Sequence, residues 1–565
     1  MAGHYKATPE MFAERASNSD GFKSLPLSPK AFNEPQFSGF MRPVRFEGEI
    51  NNLEIEGSIP SQIRGTFYRV MPEPQFPNYL PGDPWFNGDG NASAFRIADG
   101  HIDLKQRYVR TEKFTREAAA RRALAGKESI NFPLPPYAMT SYQRSRTLNL
   151  FSDSVDISKQ RIETPWEYDL VYRNRYTDAV ALEIKSTANT NVVYWHGKLL
   201  ALKEDSPPYA MDPETIETVG LWDFNGQLTS LTFTAHPKFD PITREMVCFG
   251  YEAKGDATLD VCYYSIDANG SFNETVWLLA PICGMFHDFG ITENYVIFPM
   301  IPHICDLDRL KAGGGGGALA MGQRGSNAHR VLPRRGASGS DVKWFRAPHG
   351  FAGHVANAPE DENGHIVLSM AYSRKNVFVW WADKNGDAPS PGEAQCDFVS
   401  FSIDYKSPDL DLKVSTKMVE EDMEFPRIDD RYVSTSFTKA LFNVMDPAAG
   451  TDMKVIGPNL GGGHPLYNSI GLYDTKTRKY EKYFAGPHKL CQEPVFIPRD
   501  KGAKKCDGFV MALLNNYAEM TSELVILDTA DMSKHVALVK LPIRLRTGLH
   551  GNCVDSADAD GHPSI

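Results

Sequence analysis

The sequence lacks paired cysteines, because its eight cysteines are scattered without any Cys-x-x-Cys motif. This spacing disfavours a zinc knuckle and a disulfide framework, and it is typical of reduced thiols in a cytosolic protein. The chain also has no uncharged apolar run of about 18 residues and no apolar stretch near its N-terminus, so we predict neither a transmembrane segment nor a secretory signal. We therefore expect a soluble, cytoplasmic protein.

The sequence has no excess of positive charge. Its 60 Lys and Arg stand against 71 Asp and Glu, which gives a formal net charge of -11. Because nucleic-acid-binding proteins carry basic patches, this balance argues against nucleic acid as a partner. A hydrophobic content of 42% is ordinary for a globular protein, so the chain can build a sizeable core. Nothing in the composition indicates an oligomeric state.

Helical patterning is nearly absent, since only residues 111–127, TEKFTREAAARRALAGK, have clear helical composition. Many short segments are instead rich in Val, Ile, Tyr, Phe and Thr, as in SLTFTAHPKF, EMVCFGYEA and ELVILDT. Gly, Pro, Asn or Asp bound each of them, which is typical of strands joined by turns. They recur from about residue 45 to the C-terminus without a linker, so we predict an all-β chain folded as a single closed β-propeller.

Three segments interrupt the strand pattern and define the predicted domain organisation. Residues 1–40 are polar and proline-rich and are expected to form a partly ordered N-terminal arm, followed by one propeller domain over 41–565. Residues 311–330 contain five consecutive glycines and predict a flexible loop, because no phosphate-binding GxxxxGK[ST] pattern is present. Residues 128–171 follow no visible period and predict an inserted loop.

Four histidines stand in similar surroundings, each closing a short stretch of apolar or small residues just before a turn. They are separated by 51, 67 and 196 residues, which excludes a local metal finger but fits strands that converge on a propeller axis. A buried histidine is more often a core residue than a ligand, so spacing alone leaves both interpretations open. The four are His236, His287, His354 and His550.

Several motifs carry a resemblance to a known family, namely GTFYRVMPEPQF, WFNGDGNASAFRI, QRYVRTEKF, MEFPRIDD, CQEPVFIPR and LPIRLRTGLHGN. Over nearly its whole length the chain resembles the carotenoid cleavage oxygenases, and among them the fungal stilbene-cleaving (resveratrol and lignostilbene) dioxygenases. The resemblance implies a seven-bladed β-propeller, with loops and a few short helices forming a cap over its iron-bearing axial face. It also implies one Fe(2+) per chain bound by the four histidines, with O2 as cosubstrate. Metal-bound histidines usually donate their second ring N–H to an acceptor, and the family's glutamates in that position correspond to Glu204, Glu424 and Glu493.

The resemblance also implies a substrate, because Lys203 matches the substrate-binding lysine of the stilbene-cleaving branch. A charged lysine is costly in a tunnel for a hydrocarbon, but beside a phenol it favours the phenolate, since a nearby positive charge lowers the phenol pKa from about 10. Tyr172, with Tyr176 as the fallback, matches a tyrosine that shares this contact. Phe86 would pack on the bound ring, and the methyl of Thr190 would restrict access to an open coordination site.

The expected activity is cleavage of the central alkene of 4'-hydroxylated trans-stilbenes such as resveratrol or piceatannol, giving two aromatic aldehydes through a dioxetane or an epoxide-type route. One alternative is cleavage of carotenoids or apocarotenals, and another is a non-catalytic propeller that acts as an interaction module. Residues 128–171 adjoin Tyr172, and they are either a lineage-specific loop or translated intron. A transcript that encodes them would eliminate the second explanation.

Overall fold

A computed structural model describes residues 30–78, 85–126, 175–176, 186–255, 258–305, 319–321, 328–375, 377, 394–412, 414–419, 421–461 and 466–558. Most of the predicted N-terminal arm, the predicted insertion 128–171, most of the glycine-rich loop 311–330 and Tyr172 lie outside the described residues.

The described residues consist almost entirely of short antiparallel strands. The first eighteen are β1 (Gly48–Ile50), β2 (Glu54–Gly57), β3 (Gly65–Pro72), β4 (Gly90–Ala98), β5 (His101–Tyr108), β6 (Ala125–Gly126), β7 (Arg175–Tyr176), β8 (Asn191–Trp195), β9 (Lys198–Leu202), β10 (Tyr209–Met211), β11 (Thr218–Leu221), β12 (Lys238–Phe239), β13 (Met246–Tyr251), β14 (Asp260–Ile266), β15 (Phe272–Leu279), β16 (Gly284–Met285), β17 (Gly290–Ile291) and β18 (Tyr295–Pro299). The others are β19 (Ile301–Cys305), β20 (Leu319–Met321), β21 (Ala328–Pro333), β22 (Lys343–Arg346), β23 (Phe351–Asn357), β24 (Ile366–Ser373), β25 (Cys396–Ile403), β26 (Val414–Val419), β27 (Asp422–Arg427), β28 (Lys439–Met445), β29 (Ser469–Asp474), β30 (Tyr480–Phe484), β31 (Lys489–Cys491), β32 (Val495–Pro498), β33 (Gly508–Asn516), β34 (Thr521–Asp528), β35 (Asp531–Lys540) and β36 (Gly551–Asp555).

Seven of the sheets are the blades of a propeller, which confirms the predicted fold. From the axis outward, the blades are β36-β3-β4-β5-β1, β8-β9-β10-β11, β12-β13-β14-β15, β17-β18-β21-β22, β23-β24-β25-β26, β27-β28-β29-β30, and β31 and β32 followed by β33-β34-β35-β2. Two smaller sheets, β16-β19-β20 and β6-β7, stand outside this ring. The ring is closed by strands from both ends of the chain, because β36 pairs with β3 and β2 pairs with β35.

Hydrophobic cores lie between neighbouring blades rather than inside one blade. Alternate residues of a strand point to opposite faces, so each blade contributes to two cores. In β13, Met246 and Cys248 pack toward the second blade, whereas Val247 and Phe249 pack toward the fourth. Strands buried on both faces read as continuous apolar runs, which explains segments such as EMVCFGYEA. This packing holds the inner strands in a fixed ring around the axis.

Among the described residues the helices are few and short, as expected. They are α1 (Glu112–Ala120), α2 (Met453–Ile456) and the 3-10 turns Pro35–Phe37, Gly39–Met41, Trp85–Asn87, Gly339–Asp341, Asp430–Tyr432 and Gly457–Asn459. In α1 the Thr111 side chain accepts a hydrogen bond from the backbone N–H of Phe114, and the helix ends where Arg121 adopts a left-handed φ of 54°. It is therefore shorter than the helical composition of 111–127 suggested. Across the described residues, the helices lack the length and apolar character that a bilayer-spanning segment requires.

Candidate metal centre

Each blade brings one of the sequence-predicted site residues to the same end of the axis, on its innermost strand or just before it. In blade order these residues are His550, Thr190, His236, His287, His354, Glu424 and Glu493. Because consecutive blades surround one axis, residues hundreds of positions apart in the sequence meet there.

The four histidines form one compact cluster. One ring nitrogen from each lies within 4.8 Å of the corresponding nitrogen of every other. The Nε2 atom of His287 is 3.2 Å from that of His236 and 3.1 Å from that of His354. The His550 ring centroid lies 4.5 Å from that of His236 and 4.7 Å from that of His354. The four rings therefore face a common centre.

Three of the four rings are oriented by a glutamate on their outer nitrogen. The pairs are His287 Nδ1 with Glu204 Oε1 at 2.6 Å, His354 Nδ1 with Glu424 Oε2 at 2.7 Å, and His550 Nδ1 with Glu493 Oε1 at 2.9 Å. The structure thus brings together the predicted histidines and the predicted glutamates. Such an outer hydrogen bond fixes both the tautomer and the orientation of a ring.

The glutamates are ionised at neutral pH, although they are buried. Burial raises the pKa of Glu204, but the hydrogen bond and charge of His287 outweigh that effect and lower this pKa to about 2. The pKa values of Glu424 and Glu493 are lowered in the same way, because their histidine partners outweigh burial. An ionised carboxylate can only accept a hydrogen bond. The Nδ1 atoms must therefore donate, and in the neutral form that coordinates a metal each of these rings carries its lone pair on Nε2.

This arrangement of lone pairs fits a bound cation. The Nε2 atoms of His287 and His354 are only 3.1 Å apart, and two lone pairs at that distance repel each other unless a proton or a metal cation is shared between them. Burial lowers the pKa of His236 well below its ordinary value, so this ring stays in the neutral form that coordinates metals. Neutral imidazole suits divalent iron, zinc, copper and nickel. The cluster can therefore hold a transition-metal ion.

A β-bulge in β27 aims two consecutive side chains at one histidine. The register between β27 and β28 shifts after Glu424, and Phe425 has a left-handed φ of 56°. In a regular strand these two side chains would point to opposite faces. Here Glu424 holds His354 Nδ1, and the Phe425 ring stacks on the same imidazole with centroids 5.1 Å apart and planes at 23°. Bulges commonly re-aim side chains beside active sites.

Gly353 leaves the space that the Glu424 carboxylate occupies. A Cβ at this position would lie 2.2 Å from Glu424 Oε1, far inside van der Waals contact. A side chain there would push the carboxylate away from His354. The need for glycine arises from this contact between two blades.

We therefore predict that Gly353→Ala weakens binding of a divalent transition-metal ion by roughly 10- to 100-fold, the usual cost of losing a ligand's hydrogen-bond partner. The measurement is competition with a calibrated chelator. Gly457→Ala is the matched control, because a Cβ at Gly457 meets only the Met453 Cε atom, at 4.0 Å. If the two variants bind the ion equally well, Gly353 does not act through Glu424.

Lys203 and Glu204 are neighbours in the sequence that reach different partners. Both follow the end of β9, where Glu204 binds the His287 ring while the half-buried Lys203 donates from Nζ to Thr187 Oγ1 at 2.8 Å. One short segment after the strand therefore reaches both the histidine cluster and a second region beside it. Thr190 precedes β8, and its carbonyl accepts a hydrogen bond from the backbone N–H of His550 at 3.2 Å.

Phe86 and the fallback Tyr176 are the other predicted substrate contacts in the described part of the chain. Phe86 lies on the turn Trp85–Asn87 and Tyr176 lies on β7, where it pairs with Ala125, but their side chains are outside the described part. The role of each in binding a ring or a phenol stays a prediction.

A cavity of ≈ 120 Å³ runs along the axis and reaches the cluster. Three of the four histidine residues, His236, His354 and His550, line it together with the inner strands. Its wall includes an ion pair between Lys238 Nζ and Asp288 Oδ1 at 2.7 Å. The cavity can hold a few water-sized molecules, so small polar species can approach the centre from this side.

Sequence reasoning missed three residues that support the centre. They are Gly353, Phe425 and Arg427, whose Nη1 lies 3.5 Å from Glu493 Oε1. The only local signal was the Phe-Pro pair in MEFPRI, since proline inside a strand often accompanies a bulge. The others act through contacts between blades that are distant in the sequence.

Comparison with known proteins places the chain among oxygenases. Residues 41–555 match the family model described as retinal pigment epithelial membrane protein. Carotenoid cleavage oxygenase 1 of Neurospora crassa is 55% identical over 549 residues, which cover 96% of this chain and 94% of the relative. Resveratrol cleavage oxygenase 1 of Aspergillus fumigatus is 51% identical over 532 residues, covering 93% and 96%. The crystal structure of Pseudomonas brassicacearum lignostilbene dioxygenase superimposes with a TM-score of 0.80 at 35% identity, covering 94% of this chain and 100% of that chain.

Proposed function

The chain belongs to the carotenoid cleavage oxygenase family, whose members cleave alkenes oxidatively, and we propose that this member cleaves the central double bond of 4'-hydroxylated trans-stilbenes such as resveratrol or piceatannol. The observation that carries the proposal is a half-buried ammonium, Lys203, one residue from a glutamate of the histidine cluster. A positive charge at this place can stabilise the phenolate form of a phenolic substrate. It would be costly to bury against a pure hydrocarbon chain. The name of the Aspergillus relative supports the same substrate class.

We assign one Fe(2+) per chain to His236, His287, His354 and His550, with dioxygen as the cosubstrate. Four ring nitrogens that converge on one point support this assignment, and carboxylates orient three of the four rings. When bound, ferrous iron would supply the site at which dioxygen is activated. The residues Glu204, Glu424 and Glu493 then act by fixing the tautomer and the orientation of three rings and by raising their basicity as ligands.

The phenol would be held by the ammonium of Lys203. Donation from Nζ to the 4'-hydroxyl oxygen stabilises the phenolate, since a nearby positive charge lowers the pKa of a phenol from about 10. Electron density then moves through the ring to the alkene and makes it more reactive toward oxygen. We assign Tyr172 to the same phenol oxygen, Phe86 to the ring face, and the Thr190 methyl to limiting access beside the metal.

The balanced reaction consumes one dioxygen for each stilbene. The central C=C bond breaks, and each of its carbons forms a new C=O bond. Resveratrol would give 4-hydroxybenzaldehyde and 3,5-dihydroxybenzaldehyde in equal amounts. The chemistry needs no external reductant, because both electron pairs of the double bond are used to reduce the dioxygen.

The direct test is to incubate the iron-loaded protein with resveratrol under air and to quantify both aldehydes and the oxygen consumed. We expect one equivalent of each per stilbene. Pinosylvin, the stilbene that lacks only the 4'-hydroxyl, is the matched substrate control and should react roughly 10- to 150-fold more slowly, because a charged hydrogen bond worth roughly 1.5–3 kcal/mol is lost. Equal rates with both stilbenes would contradict the role given to the phenol.

Cleavage of a carotenoid or an apocarotenal is the second candidate, and the name of the Neurospora relative favours it. In that case the ammonium of Lys203 would be incidental to a long apolar tunnel. An apocarotenal incubated in parallel with resveratrol separates the two functions, since only one of the substrates should be converted at a useful rate.

We also propose that the protein acts in the cytoplasm as one propeller domain over 41–565, with 128–171 as an insertion and 311–330 as a loop. Free thiols support a reducing compartment, because the cysteines at 248, 262, 396, 491, 506 and 553 form no disulfide in the described part of the chain.

A further inference from the structure

The ammonium of Lys203 has a protein partner that no motif indicated. Its Nζ donates to Thr187 Oγ1 at 2.8 Å, across a separation of 16 residues. The two residues lie at the open end of the β8–β9 hairpin, where the backbone N–H of Thr190 donates to Leu202 O at 3.0 Å. Thr187 is 3% exposed, so this hydroxyl is a buried acceptor rather than a surface contact.

The segment that carries Thr187 is fixed against the first blade. The Gly90 N–H donates to Thr187 O at 2.7 Å, and Asn189 Nδ2 donates to Gly88 O at 2.6 Å. A Cβ on Gly90 would lie 2.2 Å from Ala188 O, so only glycine permits this close approach of the two backbones. The Thr187 hydroxyl is therefore held in place by the first blade.

A fixed acceptor matters because a lysine side chain is flexible. Its four-carbon stem adopts many rotamers, and its ammonium has three donors that rotate freely. When one N–H is held by a rigid hydroxyl, the directions of the other two are limited. A phenol oxygen then meets a donor that is already in place, and less entropy is lost when it binds.

A competing anion makes this restraint more important. Glu204 is the next residue, and its carboxylate Oε1 lies 2.6 Å from His287 Nδ1. Without the hydroxyl of Thr187, the ammonium would be drawn toward this carboxylate and away from the phenol. Its attraction would also compete with the hydrogen bond that orients His287.

We infer that Thr187 is a positioning residue, which holds the Lys203 ammonium for the 4'-hydroxyl of a stilbene and so contributes to the preference for phenolic substrates. The inference rests on the proposed function, because it assigns the phenol to Lys203. Thr187 itself need not touch the substrate.

The test compares Thr187→Val, which removes the hydroxyl and keeps the shape, with Thr187→Ser, which keeps the hydroxyl. Binding of resveratrol to the metal-depleted protein, followed by the change in stilbene fluorescence, should weaken about tenfold in the valine variant. The rising limb of the pH profile of kcat in the iron-loaded variant should move to higher pH, because the pKa of the bound phenol returns toward about 10. Thr187→Ser should keep the wild-type affinity for resveratrol and the wild-type pH profile. The affinity for pinosylvin should be the same in both variants as in the wild-type protein.

Thr232→Val is the matched control, since the buried Thr232 donates its hydroxyl to Tyr251 O, also at 2.8 Å, in another blade. If Thr187→Val equals this control in affinity and pH profile, the inference is overturned while the proposed function stands. If the wild-type protein neither binds nor cleaves resveratrol, both are overturned. Thr187→Ala gives the same comparison if the valine variant does not fold.

Discussion

His236→Ala is expected to abolish metal binding and to lower turnover by more than roughly 1000-fold, beyond the roughly 10- to 100-fold typical when only a ligand's hydrogen-bond partner is lost. The ring of His236 lies 4.5 Å, centroid to centroid, from both His287 and His550, so its removal takes one of four converging donors. Metal analysis by mass spectrometry and the resveratrol assay measure the two effects.

His236 is the best ligand to remove because the fold should survive the change. In the described part of the chain, no glutamate binds its ring, whereas the other three histidines each hold a buried carboxylate. Alanine at one of those three would leave an unpaired buried charge, which is strongly destabilising. His236→Ala leaves none.

His329→Ala is the control for this variant. His329 is also buried and packs on Phe401 with ring centroids 5.0 Å apart, but it lies outside the metal cluster. Its loss should lower stability through the cavity that it leaves, while iron content and turnover are retained. Full iron occupancy and activity in His236→Ala would contradict the assignment of this ligand.

Lys203→Met is expected to lower kcat/KM for resveratrol by about 100-fold, because a hydrogen bond to a charged group contributes roughly 1.5–3 kcal/mol. Methionine keeps much of the apolar stem and removes the charge. Without the ammonium, the bound phenol keeps its proton to higher pH and donates less electron density to the alkene. Steady-state kinetics with resveratrol and with pinosylvin measure the effect.

Lys198→Met is the matched control at the other end of β9, where Lys198 Nζ lies 4.9 Å from the centroid of the Trp222 ring. Its kcat/KM values for resveratrol and for pinosylvin should equal those of the wild-type protein. Since the Lys203 charge also acts on Glu204, iron content must be measured in Lys203→Met, so that loss of metal is not mistaken for loss of phenol binding. An iron-loaded variant with wild-type kinetics would exclude Lys203 from substrate recognition.

The sequence predicted the ring of blades and the convergence of the four histidines better than it predicted the local structure around them. Short bounded strands indicated a propeller, and inner strands meet at one axis whatever their spacing in the chain. The segment SLTFTAHPKF looked like a strand, yet only Lys238–Phe239 is one, and His236 precedes it. The residues before Lys238 instead make isolated hydrogen bonds with β13, such as the one from the Thr234 N–H to Phe249 O at 2.7 Å.

The supporting contacts could not be predicted because they depend on packing between blades. Gly353 is needed only because Glu424 comes from the next blade, and Thr187 is fixed only because Gly90 comes from the previous one. The bulge at Phe425 likewise depends on pairing with β28. Strand propensity responds to neighbouring strands more than to the local sequence, so such features require the assembled structure.

The most direct measurement is the metal content and coordination of the purified wild-type protein, by elemental analysis and X-ray absorption spectroscopy at the iron edge. We expect one iron per chain with four imidazole nitrogen ligands. A protein that folds with a normal circular dichroism spectrum but takes up no iron, or binds it through fewer imidazoles, would contradict the account.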